Sequence, residues 1–157
     1  MQTESETENV HSINEASLEI PKQVCGFRIG DDFYGVSVLD VQEVIKPQNV
    51  TPIPLADKHV RGLINLRGQI VTSISLRTLF GLENDLAADH MNVIVRSNDS
   101  LFALVADEIL DVMDLKPDRF EGPPETLDPN LKQYIKGVFK LENKLLILLD
   151  IEKILKG

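Results

Sequence analysis

The chain of 157 residues has one cysteine and no long apolar segment. With Cys25 alone, an intramolecular disulfide framework is excluded. Apolar runs are short, as at Leu145–Leu149, which suits a buried strand, whereas a helix needs roughly 20 apolar residues to cross a bilayer. The N-terminus also lacks the basic and apolar segments of a secretory signal. These absences predict a cytoplasmic protein.

Basic charge is scarce as well. The chain has 16 Lys and Arg against 25 Asp and Glu, for a formal net charge of −9. This balance opposes binding to a phosphate backbone or to an anionic membrane surface, so we expect no nucleic-acid partner and no direct membrane insertion. Residues 1–21 hold five glutamates and no Lys or Arg, and they show no hydrophobic period. We interpret residues 1–21 as a disordered acidic tail before a domain at 22–157.

Residues with catalytic or metal-binding chemistry are few and scattered. Cys25 lies in an apolar-alternating run, which is typical of a buried structural thiol. The acidic pair at 31–32 indicates a hairpin turn, and the pair at 107–108 indicates an exposed strand edge. Three histidines have no second ligand at metal-binding spacing: His11, His59 and His90. We therefore expect no catalytic residue, no metal and no cofactor, and predict that the protein is not an enzyme.

The second half of the sequence repeats the first. Residues 61–81 align without a gap to residues 136–156, at an offset of 75. Each segment begins with a basic residue and a glycine. It continues through a short apolar run, a three-residue polar turn and an apolar strand. Ser75 and Asp150 then stand where a helix N-cap is needed, and each precedes a short amphipathic helix.

A weaker repeat relates residues 32–47 to residues 99–117. Short Val- and Ile-rich runs bounded by Gly, Asn, Asp and Pro indicate strands. The fold prediction is therefore mainly β, with two duplicated lobes at about 22–88 and 89–157. Each lobe is a small barrel of about five strands, and the terminal strands are open to exchange.

Two proline-containing stretches, 46–59 and 116–131, are predicted to be loops. Residues 38–45 fit a helical turn as well as a twisted strand. Apolar side chains here exceed what one small lobe can bury on one face: Val36, Val38, Val41 and Val44. They belong either to a core between the lobes or to a groove for a partner.

The stretch VRGLINLRGQIV at 60–71 resembles the signature of CheW-like coupling proteins. The agreement continues through FRIGDDFYGVSVLDVQEVI, TPIP and SLRTLFG, then through ALVADEILDVMDL and YIKGVFKLENKLLILLDIEKIL, and covers about residues 23 to 155. The resemblance implies two packed SH3-like five-stranded barrels. It also implies a non-catalytic adaptor that joins the cytoplasmic tip of methyl-accepting chemoreceptors to the regulatory domain of the histidine kinase CheA. Such an adaptor is cytoplasmic and is recruited to receptor arrays at the inner membrane.

The same resemblance implies which residues bind partners. These residues are Arg67 with Asn65 and Gly62, then Val41 and Glu43, with Val38 and Val44 in the same patch. Arg67 stands at a hairpin tip, where a guanidinium can make bidentate contacts. Glu43 is a charge within an apolar stretch, as at the rim of an interface. The second-half counterpart of Arg67 is Glu142, so a partner would distinguish the two tips by charge.

Two other functions remain open at this point. One is an adaptor of the same fold in a different two-component pathway, such as one that controls surface motility or biofilm growth. The other is an enzyme or small-ligand binder, which would need a pocket with convergent polar groups.

Overall fold

The computed structural model describes residues 20–83 and 86–156. Most of the predicted acidic tail, 1–19, lies outside the described residues. Ile20 is described, and it packs on a buried apolar cluster that includes Val24, Leu115 and Phe139. Ile20 therefore packs with the domain, although it precedes the predicted boundary at 22.

Strands dominate the described residues. They are β1 (Gln23–Ile29), β2 (Asp32–Ser37), β3 (Val41–Ile45), β4 (Val60–Leu66), β5 (Gln69–Ile74), β6 (Met91–Ser97), β7 (Ser100–Ala106), β8 (Glu108–Asp114), β9 (Phe120–Glu121), β10 (Ile135–Lys140) and β11 (Leu145–Leu149). The α-helices are short: α1 (Leu76–Leu79), α2 (Pro129–Lys132) and α3 (Ile151–Lys156). Two 3-10 turns complete the elements, at Val38–Asp40 and Pro117–Arg119. The mainly β fold with short helices after Ser75 and Asp150 is confirmed.

The strands form two sheets, of order β8-β1-β2-β11-β10-β9 and β3-β6-β7-β5-β4. Each sheet contains strands from both sequence halves, 22–88 and 89–157. Strands of the two halves meet at two places in each sheet: a parallel pair, β2 with β11 or β5 with β7, and an antiparallel pair, β1 with β8 or β3 with β6. The remaining pairs are also antiparallel. The two sheets thus repeat one arrangement, and β9 is an added edge strand.

Two stretches differ in detail from their predictions. The stretch 116–131 was predicted to be a loop, yet it contains β9, which pairs with β10. The Phe120 ring packs on Phe139 at a centroid distance of 5.2 Å, and this aromatic contact holds the segment against the sheet. Residues 38–45 combine both of the forms that fitted the sequence. A 3-10 turn comes first, with the Leu39 N–H donating to Ser37 Oγ at 3.2 Å, and β3 follows.

The largest core cluster draws its side chains from both sheets. The Tyr34 ring lies between Phe27 and Phe80, at centroid distances of 6.2 and 5.3 Å. Val36 is fully buried in the same cluster, so it belongs to the core. Cys25 is buried there too, as predicted, and burial raises the pKa of its thiol.

Both predicted helix caps are present. Ser75 Oγ accepts a hydrogen bond from the Thr78 N–H at 3.1 Å, and the Asp150 carboxylate accepts one from the Lys153 N–H at 3.2 Å. Because Ser75 is buried, water cannot easily replace its hydroxyl. Ser75→Ala should therefore lower the free energy of unfolding by about 1 kcal/mol, measured by urea denaturation. Ser100→Ala, at an exposed strand end, should change it by less than about 0.5 kcal/mol. Equal stability of the two variants would contradict the capping role.

Candidate interaction site

Arg67 lies at the tip of the hairpin that joins β4 to β5. Leu66 pairs with Gln69, so the turn has two residues, Arg67 and Gly68, where the sequence predicted three. Their φ angles are 51° and 86°, as a tight hairpin of this length requires. The Asn65 side-chain oxygen accepts a hydrogen bond from the Gly68 N–H at 3.0 Å. Asn65 therefore fixes the turn that presents Arg67.

The Arg67 guanidinium donates to the carboxylate of Glu43, on β3. β3 and β4 are the two edge strands of the five-stranded sheet, so the ion pair joins opposite edges of a sheet that curls onto itself. The Arg67 side chain is 66% exposed and the Glu43 side chain is 27% exposed. Both charges remain within reach of a partner.

Gly62 is buried, unlike Arg67 and Asn65. It lies at an irregularity in the β4–β5 register, with φ at 144°. Across from it, Thr51 and Leu63 exchange backbone hydrogen bonds of 2.9 and 2.8 Å. A Cβ atom at position 62 would stand 2.2 Å from the Thr51 carbonyl oxygen. Gly62 thus allows the loop at 46–59 to lie against β4, and its part in the site is to position that loop.

The three predicted valines lie deeper than the charged pair. Val41 and Val44 are half-buried and pack against the main core cluster. Val38 is half-buried within the 3-10 turn before β3. The structure therefore brings Glu43, Asn65 and Arg67 together, whereas Val41 and Val44 pack on the core.

Sequence reasoning missed several exposed apolar side chains. Ile70 is exposed on β5 and pairs across the strands with Asn65. The alternation of β5 could have revealed it, because Val71 and Ser73 are buried and Ile70 must face the other way. We define the hairpin surface as Glu43, Asn65, Arg67 and Ile70, an ion pair beside an apolar side chain.

Asp107 corrects another expectation. The pair at 107–108 was predicted to be an exposed strand edge, and Glu108 is exposed, but the Asp107 side chain is only 7% exposed. Arg77 Nη2 donates to Asp107 Oδ2 at 2.6 Å, and the Gly30 N–H donates to the same oxygen at 2.7 Å. Arg28 Nη1 lies 3.6 Å from Asp107 Oδ2. This cluster ties β1, α1 and the β7–β8 junction together.

The pKa of Asp107 reflects that setting. Burial alone would raise it. The hydrogen bonds from Arg77 and the Gly30 amide, together with the positive charges of Arg77 and Arg28, hold the pKa below its ordinary value. The group is therefore a structural carboxylate that stays ionised.

Within 20–83 and 86–156, no three His, Cys, Asp or Glu residues lie close enough together to hold a metal ion. In the same ranges, no helix has the length and apolar character that crossing a bilayer requires.

Comparisons with known proteins agree with one another. A profile of the CheW-like domain matches residues 23–157. The chain is 34% identical to the chemotaxis protein CheW of Helicobacter pylori, over 85% of this chain and 81% of that protein. It is 31% identical to the chemotaxis protein CheW of Treponema pallidum, over 84% of this chain and 81% of that protein.

A solved structure shares the fold. The scaffolding protein TtCheW from Thermoanaerobacter tengcongensis superimposes with a TM-score of 0.75 at 29% identity, covering 83% of this chain and 90% of that one. The profile matches most of the chain, and the fold is shared with a solved scaffolding protein. The chain therefore belongs to the CheW-like family of chemotaxis coupling scaffolds.

Proposed function

We propose that this protein is a non-catalytic cytoplasmic adaptor that couples methyl-accepting chemoreceptors to a CheA-type histidine kinase, at receptor arrays beneath the inner membrane. It binds the cytoplasmic tip of the receptors and the regulatory domain of the kinase. The observation that carries the proposal is the solvent-accessible Arg67–Glu43 pair, together with Ile70, which is exposed on the same hairpin. Arginine with apolar neighbours is the composition that protein interfaces favour.

The energetics of the pair also suit a binding role. An exposed ion pair contributes about 0–1 kcal/mol to folding, so folding alone gives little reason for it. At an interface the same charges are desolvated, which strengthens their electrostatic interactions, and they set the orientation of a partner. A partner carboxylate can share the Arg67 guanidinium, because Arg67 is two-thirds exposed and has five N–H donors. The hairpin surface can therefore signal by exchanging one ion-pair partner for another.

The test is calorimetric titration of the protein against the kinase regulatory domain and a receptor-tip fragment of the same organism. We expect Arg67→Ala and Glu43→Ala each to weaken binding of at least one partner about tenfold or more. Their stability should change by less than about 1 kcal/mol. Glu142→Ala is the matched control, at the exposed hairpin tip of the second half, and should bind as the unchanged protein does.

Combining the two substitutions tests whether the partner recognises the intact ion pair or each residue independently. If the intact ion pair is what the partner recognises, the double variant should lose no more affinity than either single variant. Normal affinity in both single variants would remove the hairpin surface from the proposal. A folded protein that binds neither partner would contradict the proposed coupling itself.

A further inference from the structure

The duplication places two related sites at the junctions between the sheets. The first holds Arg28, Arg77, Asp107 and Glu108, which neutralise one another through ion pairs. Strand register gives the equivalent positions. Arg28 faces Phe33 across β1–β2, and Arg96 faces Leu101 across β6–β7. Arg96 is the equivalent of Arg28, and Glu152 is the equivalent of Arg77. Leu39 and Asp40 are the equivalents of Asp107 and Glu108.

The second site lacks the ion pair that closes the first. Arg77 is the second residue of α1, and its equivalent in α3 is Glu152. Asp107 is replaced by Leu39, whose side chain is 92% exposed. Three of the four equivalent residues, Arg96, Glu152 and Asp40, line a cavity of about 450 Å³. This volume lies within the range of ligand-binding pockets, roughly 300–1,000 Å³.

The charges around this cavity are unbalanced. Three carboxylates and two basic groups line it: Asp40, Asp150 and Glu152 against Arg96 and Lys136. Arg96 Nη2 already donates to the Gln42 side chain at 2.8 Å. The Asp150 carboxylate already accepts the Lys153 N–H. Neither of these hydrogen bonds removes a charge, so the cavity keeps one carboxylate in excess, and Lys136 is the cation that acts on Asp40.

The pKa of Asp40 agrees with a carboxylate short of positive charge. Burial raises this pKa, Lys136 lowers it and Glu152 raises it, and the net shift is upward. Asp107 at the first site has the opposite net shift, because Arg77 and Arg28 surround it.

We propose that this cavity binds the arginine side chain of a partner protein, with its guanidinium between Asp40 and Glu152. A planar guanidinium can donate to two carboxylates at once, which suits Asp40 and Glu152 better than a lysine ammonium does. Leu39, next to Asp40 in sequence, is exposed and leaves an apolar side chain available to the same partner. The inference stands apart from the proposed function, because it identifies the chemistry that the cavity recognises and not the protein that supplies it.

The experiment is an NMR titration of the full chain, labelled with nitrogen-15, with N-acetyl-arginine amide as the probe. We expect saturable shifts of amide signals from residues lining the cavity, and binding about tenfold weaker in Asp40→Asn. Glu152→Arg should abolish binding, because it supplies the missing guanidinium from the chain itself. Glu142→Gln removes an equal charge at a remote exposed turn and should leave binding unchanged.

Two further probes decide specificity. N-acetyl-lysine amide should bind more weakly than its arginine counterpart, and equal binding would overturn the selection of a guanidinium. Free arginine should bind no more tightly than the blocked form. Tighter binding of free arginine would assign the cavity to a small metabolite and overturn the protein partner. Shifts that spread over the whole surface, or an unchanged affinity in folded Asp40→Asn, would also overturn the proposal.

Discussion

Alanine at position 62 should destabilise the protein by about 3 kcal/mol. The native φ of Gly62 is 144°, a conformation that L-residues rarely adopt. The added Cβ would also stand 2.2 Å from the Thr51 carbonyl oxygen, which is backbone and cannot rotate away. Relief of this overlap requires the loop at 46–59 to move, which breaks both hydrogen bonds between Thr51 and Leu63. Urea denaturation measures the loss.

Gly68→Ala is the matched control for that prediction. Gly68 also has a positive φ, 86°, but a Cβ there meets nothing within 4 Å. Its cost should be about 1 kcal/mol, from backbone conformation alone. Hydrogen exchange at the Thr51 and Leu63 amides should rise in Gly62→Ala and stay slow in Gly68→Ala. If the two variants are equally stable and equally protected, close packing of the loop on β4 is not what requires glycine at position 62.

Asp107→Asn should cost about 3 kcal/mol of stability. The substitution preserves the shape of the side chain, but it leaves Arg77 beside a neutral amide at a mostly buried site. Removal of one member of such a pair is costly because the remaining charge keeps its desolvation penalty. Glu108→Gln is the control: Glu108 pairs with Arg28 but is exposed, so its loss should cost under about 1 kcal/mol. Thermal and urea denaturation measure both variants.

The contribution of Asp107 should also depend on pH. Its folded-state pKa lies below the ordinary value of 3.8. The ionised carboxylate therefore adds stability that is fully present above pH 3.8 and is lost as the pH falls through the lower folded-state pKa. The stability difference between the unchanged protein and Asp107→Asn should be constant near neutral pH and should shrink below pH 3.8. A difference that grows on acidification would assign the effect to another group.

Features that depend on neighbours in sequence were predictable. The Ser75 cap follows from a hydroxyl placed before an amphipathic turn, and the Arg67 turn follows from a glycine between two apolar runs. The Arg67–Glu43 ion pair was not predictable, because 24 residues separate its members and the contact arises only when the sheet curls. The buried Asp107 cluster was missed for the same reason, since Arg77 lies 30 residues away on a helix.

The exchange of strands between the sequence halves was left open for a different physical reason. An alternating pattern specifies which face of a strand is buried, but not which strand lies beside it. The burial pattern of β2 alone does not say whether its neighbour comes from its own half or from the other. In the structure Phe33 lies beside Leu146 of β11. Because the halves are similar in sequence, each offers the other an acceptable edge.

This exchange has a consequence for synthesis on the ribosome. The β1–β2 hairpin can form as soon as it emerges, but the edge of β2 pairs with β11, near the end of the chain. Until residues 145–149 are made, that edge offers unpaired backbone groups to other nascent chains. Pairing over so long a sequence separation also slows folding, because a large loop must close first. Completion of the six-stranded sheet is thus a late event, and a chain that stops before β11 should aggregate rather than fold as half a domain.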